Sequence, residues 1–417
     1  MRFRTATAVL AVVGAALGAP AAHAITVKAG KWDLTFNGNV NAHYIYSECE
    51  KHPSIVAGGL ACVASSSSSA VSNGLLPAAL TIGGSTVQSG YDIGFTFGLY
   101  PGISTNDGGS PNLQSISSID YGHTALGTAG LDVRQAFLTV GNKSMGTIMA
   151  GRNIGLFASD AILNDMTLLG VGAGNGNYAS PANTSLGSIG LGYIYTDWLS
   201  QIDYTTPTVH GANATVGIFD PLNTLGQVPA NHSSPGLQGK VTYTNGPLYL
   251  SASGLYQKQR IGCSDPSLSI AACGLSQTNL QYSSAAFDIG GKYTSGPFQV
   301  MGWYYRGSGV GTTGLFVLSN DSLGHPRDSE GFIAQATYTV GKTKFGLNYG
   351  ESKLDPTTLD RANGLLVEMN NKWTAGIYHH LTPLLMLVGE FSRIQSTNDA
   401  GQKNSSWNVN AGLFLSF

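Results

Sequence analysis

The strongest constraint on this chain is a repeated alternation of apolar residues with polar or small ones. Three segments show it most clearly: residues 287–293, 332–340 and 345–349. Successive side chains of a β-strand point to opposite faces, so each segment predicts a strand with one apolar and one polar face. One face of such a strand suits lipid and the other suits water.

The alternating segments are paired through short turns, and longer polar connections separate the pairs. The turns fall at residues 210–211, 245–247, 295–297, 340–342 and 381–383. The connections are residues 222–234, 259–281, 309–328 and 353–367. Short turns at one end and long loops at the other are typical of a transmembrane antiparallel β-barrel, and a count gives roughly 16 strands. A β-propeller has a similar period, but a blade needs four short strands where this chain offers two long ones.

The N-terminal third is less regular than the rest. Residues 31–46 predict a first strand, residues 47–73 a long polar loop, and residues 75–82 and 91–100 a hairpin that turns at Gly83-Gly84. The last segment is the cleanest strand. Its apolar face ends on Phe417, and Phe414 interrupts its polar face.

The composition agrees with a barrel in a membrane. Only 11% of the residues are charged, against about 25% in soluble domains, and 56 of 417 residues are glycine. After the N-terminus, no apolar run approaches the length of a transmembrane helix. Bilayers accept helices or closed barrels, because an unpaired backbone group in hydrocarbon is costly. A secreted all-β domain is the alternative.

The N-terminus predicts a signal peptide over residues 1–24. Arg2 and Arg4 form a basic start, residues 8–17 an apolar core, and Ala22-His23-Ala24 a small-x-small cleavage site. Residues 25–417 would then form one barrel domain. The loss of Arg2 and Arg4 leaves the mature chain mildly acidic, which argues against a nucleic-acid partner.

The four cysteines fall in two close pairs, Cys49 with Cys62 and Cys263 with Cys273. Export favours oxidation, and pairing within each loop is the simplest of three connectivities. A metal site at Cys49, His52 and Cys62 lacks a fourth ligand, so we expect no metal and no cofactor.

Residues 131–176 carry a distinctive order of elements. A strand over 131–141 contains Arg134 and Gln135, a turn follows at 142–146, and a second strand over 147–153 ends in Gly151-Arg152-Asn153. Residues 154–176 form an apolar connection without a strand pattern. This connection is too apolar to lie in water, so we expect it to fold into the barrel.

This order resembles the Gram-negative general porins, in which the third external loop folds inward and narrows the channel. The resemblance implies a barrel of about 16 strands, with a water-filled channel for passive diffusion of small hydrophilic solutes and ions. A substrate-specific channel for small organic acids, or for aromatic or moderately apolar solutes, is the main alternative.

The resemblance also suggests which charges line the constriction. Arg134 and Arg152 match the wall arginines of the family by motif, with Asp160 and Asp165 on the loop side. Later strands offer further cations at Lys240, Lys292 and Arg306. The alternative is that each is an ordinary solvated lumen or rim residue.

The expected partners follow from the same resemblance. They are outer-membrane lipids and lipopolysaccharide, two further copies in a homotrimer with a contact near residues 75–82, and the barrel-assembly machinery. That machinery recognises a terminal strand ending in an aromatic residue, here Phe417.

Sequence motifs for catalysis are missing. The chain has no G-x-S-x-G, H-E-x-x-H or C-x-x-C pattern, and the glycine run at 170–176 does not fit a dinucleotide-binding turn. His379 and His380 are adjacent in a strand, so their rings point to opposite faces. We therefore expect no enzyme, and an outer-membrane hydrolase is the alternative from another class.

Overall fold

A computed structural model describes residues 24–51, 55–63, 66–103, 131–174, 184–224, 232–262 and 279–417. Its strands are Ile25–Ala29 (β1), Trp32–Lys51 (β2), Ser68–Ser72 (β3), Ala79–Gln88 (β4), Tyr91–Pro101 (β5), Leu131–Asn142 (β6), Gly146–Ile154 (β7), Trp198–Thr205 (β8), Ala212–Phe219 (β9), Gly236–Asn245 (β10), Leu248–Gly262 (β11), Asn279–Ser295 (β12), Phe298–Ser308 (β13), Asp328–Val340 (β14), Thr343–Leu354 (β15), Val367–His380 (β16), Leu385–Asn398 (β17) and Lys403–Ser416 (β18).

These strands form one closed antiparallel barrel. β2 pairs with β4, each later strand pairs with the next, and β18 returns to pair with β2. Within the described residues, sixteen long strands make the wall, while the short β1 and β3 both pair with β2. Closure leaves no unpaired edge in the wall, which is the condition for crossing a bilayer with strands. The predicted fold class is confirmed.

The alternation of side chains fixes the two faces of the wall. Phe345 and Leu347 on β15 are exposed on the outside, while Asn348 between the outer positions is buried inside. The last strand follows the same rule, with Val409 and Leu413 outside and Asn408 inside. Phe414 points inward, where it packs against Leu169 of the long connection between β7 and β8.

Three boundaries differ from the sequence-based prediction. The hairpin of β4 and β5 turns at residues 89–90, and Gly83-Gly84 lies within β4. Leu75 precedes β4 and is buried in the interior. β2 extends to Lys51 and pairs with β3, so part of the expected polar loop is strand. Polar residues pair here because the neighbouring strand satisfies their backbone groups.

A disulfide joins Cys49 near the end of β2 to Cys62 in the following loop, with 4.9 Å between the Cα atoms. Cys263 and Cys273 lie outside the described residues, as do residues 1–23 of the expected signal peptide. No helix in the described part of the chain is both long and apolar enough to cross a membrane.

Candidate functional site: the barrel interior and its inner loop

The connection between β7 and β8, residues 155–197, is called the inner loop here; its described parts are 155–174 and 184–197. It contains a short helix, Ser159–Asn164 (α1), and a 3₁₀ turn, Met166–Leu169. Asp165 lies between them and accepts from the backbone N–H of Thr167 at 2.9 Å. A short carboxylate side chain favours this capping position.

The inner loop packs its apolar side chains on inward-facing residues of the wall. Ile162 and Leu168 belong to a buried cluster with Trp303 and Ile333, and Phe157 lies in a second cluster. Leu169 contacts a third group on the last three strands: Tyr378, Met386, Val388 and Phe414. Burial of each large apolar side chain favours this position by about 1.5–3 kcal/mol.

Polar wall residues satisfy the backbone of the inner loop along its course. Gln238 on β10 accepts from Leu156 N–H at 2.9 Å, and Gln335 on β14 accepts from Met166 N–H at 2.8 Å. Glu390 on β17 accepts from the N–H groups of Val171 and Gly172, both at 2.8 Å. Asn408 on β18 accepts from Gly174 N–H at 3.1 Å. The loop therefore touches strands from β10 to β18.

Both expected lysines contact the inner loop. The ammonium of Lys240 lies 3.4 Å from a carboxylate oxygen of Asp160 and donates to Ser159 Oγ at 3.1 Å. Lys292 donates to Asn164 Oδ1 at 2.7 Å. At α1, therefore, a carboxylate of the inner loop (Asp160) meets a lysine of the wall (Lys240).

Asp165 does not present a free charge to the lumen. It is buried, and its second oxygen accepts from the hydroxyl of Tyr193 at 2.8 Å. Asn348 of β15 donates to the first oxygen at 3.2 Å. These contacts join the two described parts of the inner loop to the wall, so the role of Asp165 is structural.

Arg134 lies inside the barrel, and its ion-pair partner is a wall carboxylate and neither Asp160 nor Asp165. Its Nε donates to Asp132 at 2.8 Å, and the guanidinium carbon lies 5.2 Å from the ring centre of Tyr100 and 5.8 Å from that of Trp198. Both Arg134 and Asp132 are buried. Arg134 therefore stabilises the base of the inner loop.

Arg152 and Arg306 do not face the lumen, which corrects their assignment to the constriction. Arg152 is paired with Ala136 and Ser200, on the face that carries exposed Leu138 and Ile202. Arg306 shares the outer face of β13 with Phe298 and Val300, which have the same parity in the strand. Strand alternation decides both cases.

Several interior residues were not predicted from the sequence. Glu390 is one, and Lys344 and Lys372 are others. Lys372 is fully buried and donates to Thr374, while the ammonium of Lys344 lies 4.6 Å from the ring centre of Tyr378. The inward parity of these three residues is readable from the sequence, but the position of the inner loop relative to them is not.

A second loop, residues 309–327, lies against the inner loop. Tyr195 N–H donates to the carbonyl of Thr313 at 2.7 Å, and Leu315 N–H returns to the carbonyl of Tyr195 at 3.1 Å. Phe316 is buried in the same cluster as Phe157. The inner loop is therefore held both by the barrel wall and by this second loop.

Arg327 ties this second loop to the loop that follows β15. Its Nε and Nη2 each donate to one carboxylate oxygen of Asp360 at 2.7 Å. Burial raises the pKa of Asp360, but hydrogen bonds from Arg327 and Thr357 outweigh it and hold the pKa below its usual value.

Comparison with known proteins decides the family. The sequence profile of a family described as Gram-negative porin matches residues 6–399. The chain belongs to the Gram-negative porin family. It is an outer-membrane channel, and the hydrolase alternative is set aside because porins are channels. Among curated proteins, none matches this porin.

Solved structures show the same fold at low sequence identity. The outer-membrane channel DcaP of Acinetobacter baumannii is 15% identical, with 94% of this porin and 99% of DcaP covered and a TM-score of 0.66. OmpF of Salmonella typhi, solved with daunomycin, is 13% identical, with 94% and 100% covered and a TM-score of 0.58. OmpT of Vibrio cholerae is 14% identical, with 94% and 100% covered and a TM-score of 0.54.

Proposed function

We propose that this porin is a general diffusion channel for small hydrophilic solutes and ions, with the inner loop as its constriction. The observation that carries the proposal is the series of wall side chains that bind the loop backbone, from Gln238 on β10 to Asn408 on β18. A loop held at so many points has a fixed position inside the barrel. It therefore sets one size limit for every solute.

The charges of the described interior favour weak ion selectivity. Asp160 lies beside Lys240, and Arg134 beside Asp132. Opposite charges at these distances largely cancel the field that an ion would meet. Planar-bilayer recordings with a salt gradient test this, and liposome swelling with sugars of increasing size measures the cutoff. A protein that inserts but conducts no ions contradicts the proposal.

A substrate-specific channel for small organic acids is the second candidate. Lys344 favours it, since this ammonium faces inward and contacts the ring of Tyr378. An ammonium of this kind attracts carboxylates. If one organic acid reduces the ion current through the channel and a neutral sugar does not, the result would support this candidate over general diffusion.

The proposed assembly is a homotrimer, and the outer wall supports a protein contact on one half. Along the described strands β4 to β10, Arg152 is the one charged side chain on the outer face, which carries exposed apolar residues: Leu80, Phe97, Leu138, Ile202 and Val216. Leu75 is buried inside and takes no part. Crosslinking in mild detergent should capture trimers; capture of monomers alone contradicts this assembly.

A further inference from the structure

Residues 55–63, which follow β2, are called the cysteine loop here, because Cys62 is bonded to Cys49 of β2. The nine residues read Ile-Val-Ala-Gly-Gly-Leu-Ala-Cys-Val and carry no charged side chain. A run of this kind is unfavourable in water and favours a buried position. Ala61 and Cys62 are buried accordingly.

Two side chains of the barrel wall hold the backbone of the cysteine loop. Ser396 on β17 accepts from the N–H groups of Leu60 and Ala61, both at 2.9 Å. Asn370 on β16 accepts from Leu60 N–H at 3.0 Å and donates to the carbonyl of Gly58 at 3.3 Å. Ser396 and Asn370 are buried and have the parity of the inward-facing residues of their strands. The cysteine loop therefore lies inside the barrel.

The cysteine loop also packs on the inner loop. Ala61 belongs to a buried cluster with Ala173 and Leu191 of the inner loop and with Ile394 of β17, and Leu60 packs against this cluster. Ala173 and Leu191 come from the two described parts of the inner loop. The cysteine loop therefore covers both parts.

The two loops are anchored at different levels of one strand. Glu390 of β17 binds the inner loop, and Ser396, six residues further along the strand, binds the cysteine loop. At about 3.4 Å per residue, the two anchors are about 20 Å apart along β17. Ser396 is nearer to the end of the barrel that carries the long loops, which is extracellular in outer-membrane barrels. A solute from outside therefore meets the cysteine loop first.

A neighbouring loop fixes the start of the cysteine loop. Ala57 N–H donates to the carbonyl of Leu365 at 2.8 Å, and Val367 N–H donates to the carbonyl of Ala57 at 2.9 Å. The side chain of Val56 packs against the buried cluster that contains Val367. The disulfide to Cys49 holds the other end. The cysteine loop is thus attached at both ends and in its middle.

We propose that the cysteine loop extends the constriction of this channel toward the extracellular end, so that the narrow passage runs from the level of Glu390 to that of Ser396. The inference rests on the proposed diffusion function. The electrical resistance of a narrow passage grows with its length, so the cysteine loop lowers the conductance. The inner loop still sets the size limit. Because residues 55–63 are uncharged, they leave the ion preference to the charges around the inner loop.

Ser396→Ala tests the proposal, with Ser392→Ala as the matched control. Ser392 is also a buried serine on the inner face of β17, and its hydroxyl lies 2.7 Å from that of Thr374 on the neighbouring strand. Ser396→Ala removes the acceptor of two N–H groups of the cysteine loop, so single-channel conductance should rise. The sugar cutoff in liposome swelling and the reversal potential in a salt gradient should stay those of the wild type. Ser392→Ala should match the wild type in all three measurements.

Removal of the disulfide is the second arm, and Cys49→Ser combined with Cys62→Ser should raise the conductance in the same way. Heat-modifiable gel migration shows that the variants are folded. A wild type that conducts no ions contradicts the diffusion function. A conducting wild type whose conductance equals that of both variants overturns the role proposed for the cysteine loop. Variants that also admit larger sugars overturn it as well, since the cysteine loop would then act only by positioning the inner loop.

Discussion

The carboxylate of Glu390 accepts the backbone N–H of Val171 at 2.8 Å and so binds the inner loop to the wall strand β17. The same carboxylate accepts from Gly172 N–H at 2.8 Å, from Asn410 and from the hydroxyl of Tyr378. Four donors surround one buried carboxylate. An anion is needed here, because a neutral amide offers one acceptor atom and two additional donors.

Glu390→Gln should therefore loosen the inner loop. The variant removes the negative charge and one of the two acceptor oxygens, which weakens hydrogen bonds to a charged group that are worth about 1.5–3 kcal/mol each. We expect larger current fluctuations and a higher mean single-channel conductance in planar bilayers. Glu351→Gln is the control, since Glu351 lies on β15 with Tyr349 and Lys353 as its partners. Identical traces for both variants contradict the anchoring role.

The pair of Asp160 and Lys240 should set the small ion preference of the channel. Asp160→Asn removes the loop carboxylate beside the Lys240 ammonium, so permeability should shift toward anions. Lys240→Gln should shift it toward cations, because the variant removes the cation that pairs with the loop carboxylate. Reversal potentials in a potassium chloride gradient measure both shifts. Arg152→Gln, on the outer face, should leave the reversal potential unchanged; equal shifts in all three variants refute this assignment.

The architecture was largely predictable from the sequence, because a period-two pattern states which side chains share a face. Phe345 and Leu347 were placed correctly on the apolar face, and the family resemblance rested on the order of elements around Arg134. Phe414 broke the pattern for a reason outside its own strand. It packs against Leu169, and no local signal gives that contact.

The site was less predictable than the fold. Arg306 was assigned to the lumen although its parity with Phe298 and Val300 puts it outside; the aromatic run around it hid the alternation. Glu390 was missed because its role depends on where the inner loop lies. A contact between residues more than two hundred positions apart needs the barrel to close first.

Acid should release the contact between Arg327 and Asp360. The pKa of Asp360 is lowered in the folded state, so the contact stabilises above the ordinary aspartate value of about 3.9 and is lost as pH falls through the folded value. Single-channel closures should stay constant from neutral pH to about 4 and increase below it.

Asp360→Asn should show those closures already at neutral pH, because it removes the negative charge and one of the two carboxylate oxygens that accept from Arg327. Asp355→Asn is the control in the same loop, since Asp355 is an exposed carboxylate. A wild-type channel whose closures increase between pH 7 and 5 would contradict the assignment to this pair.

Peptide mapping without reduction should recover Cys49 linked to Cys62. Replacing both by serine should cost about 2–3 kcal/mol of loop stability, the effect of losing a short cross-link. The temperature of heat-modifiable gel migration measures that loss. Cys263 linked to Cys273 stays a prediction for the same experiment. Recovery of Cys49 linked to Cys263 instead would refute local pairing.

Deletion of residues 157–171 tests the constriction most directly. The segment contains α1, the 3₁₀ turn and the contacts with Gln335 and Glu390. Single-channel conductance of the inserted deletion variant, with liposome swelling for the size cutoff, should exceed that of the wild type and admit larger sugars. A variant that inserts normally and keeps both the conductance and the cutoff of the wild type would show that the inner loop is not the constriction.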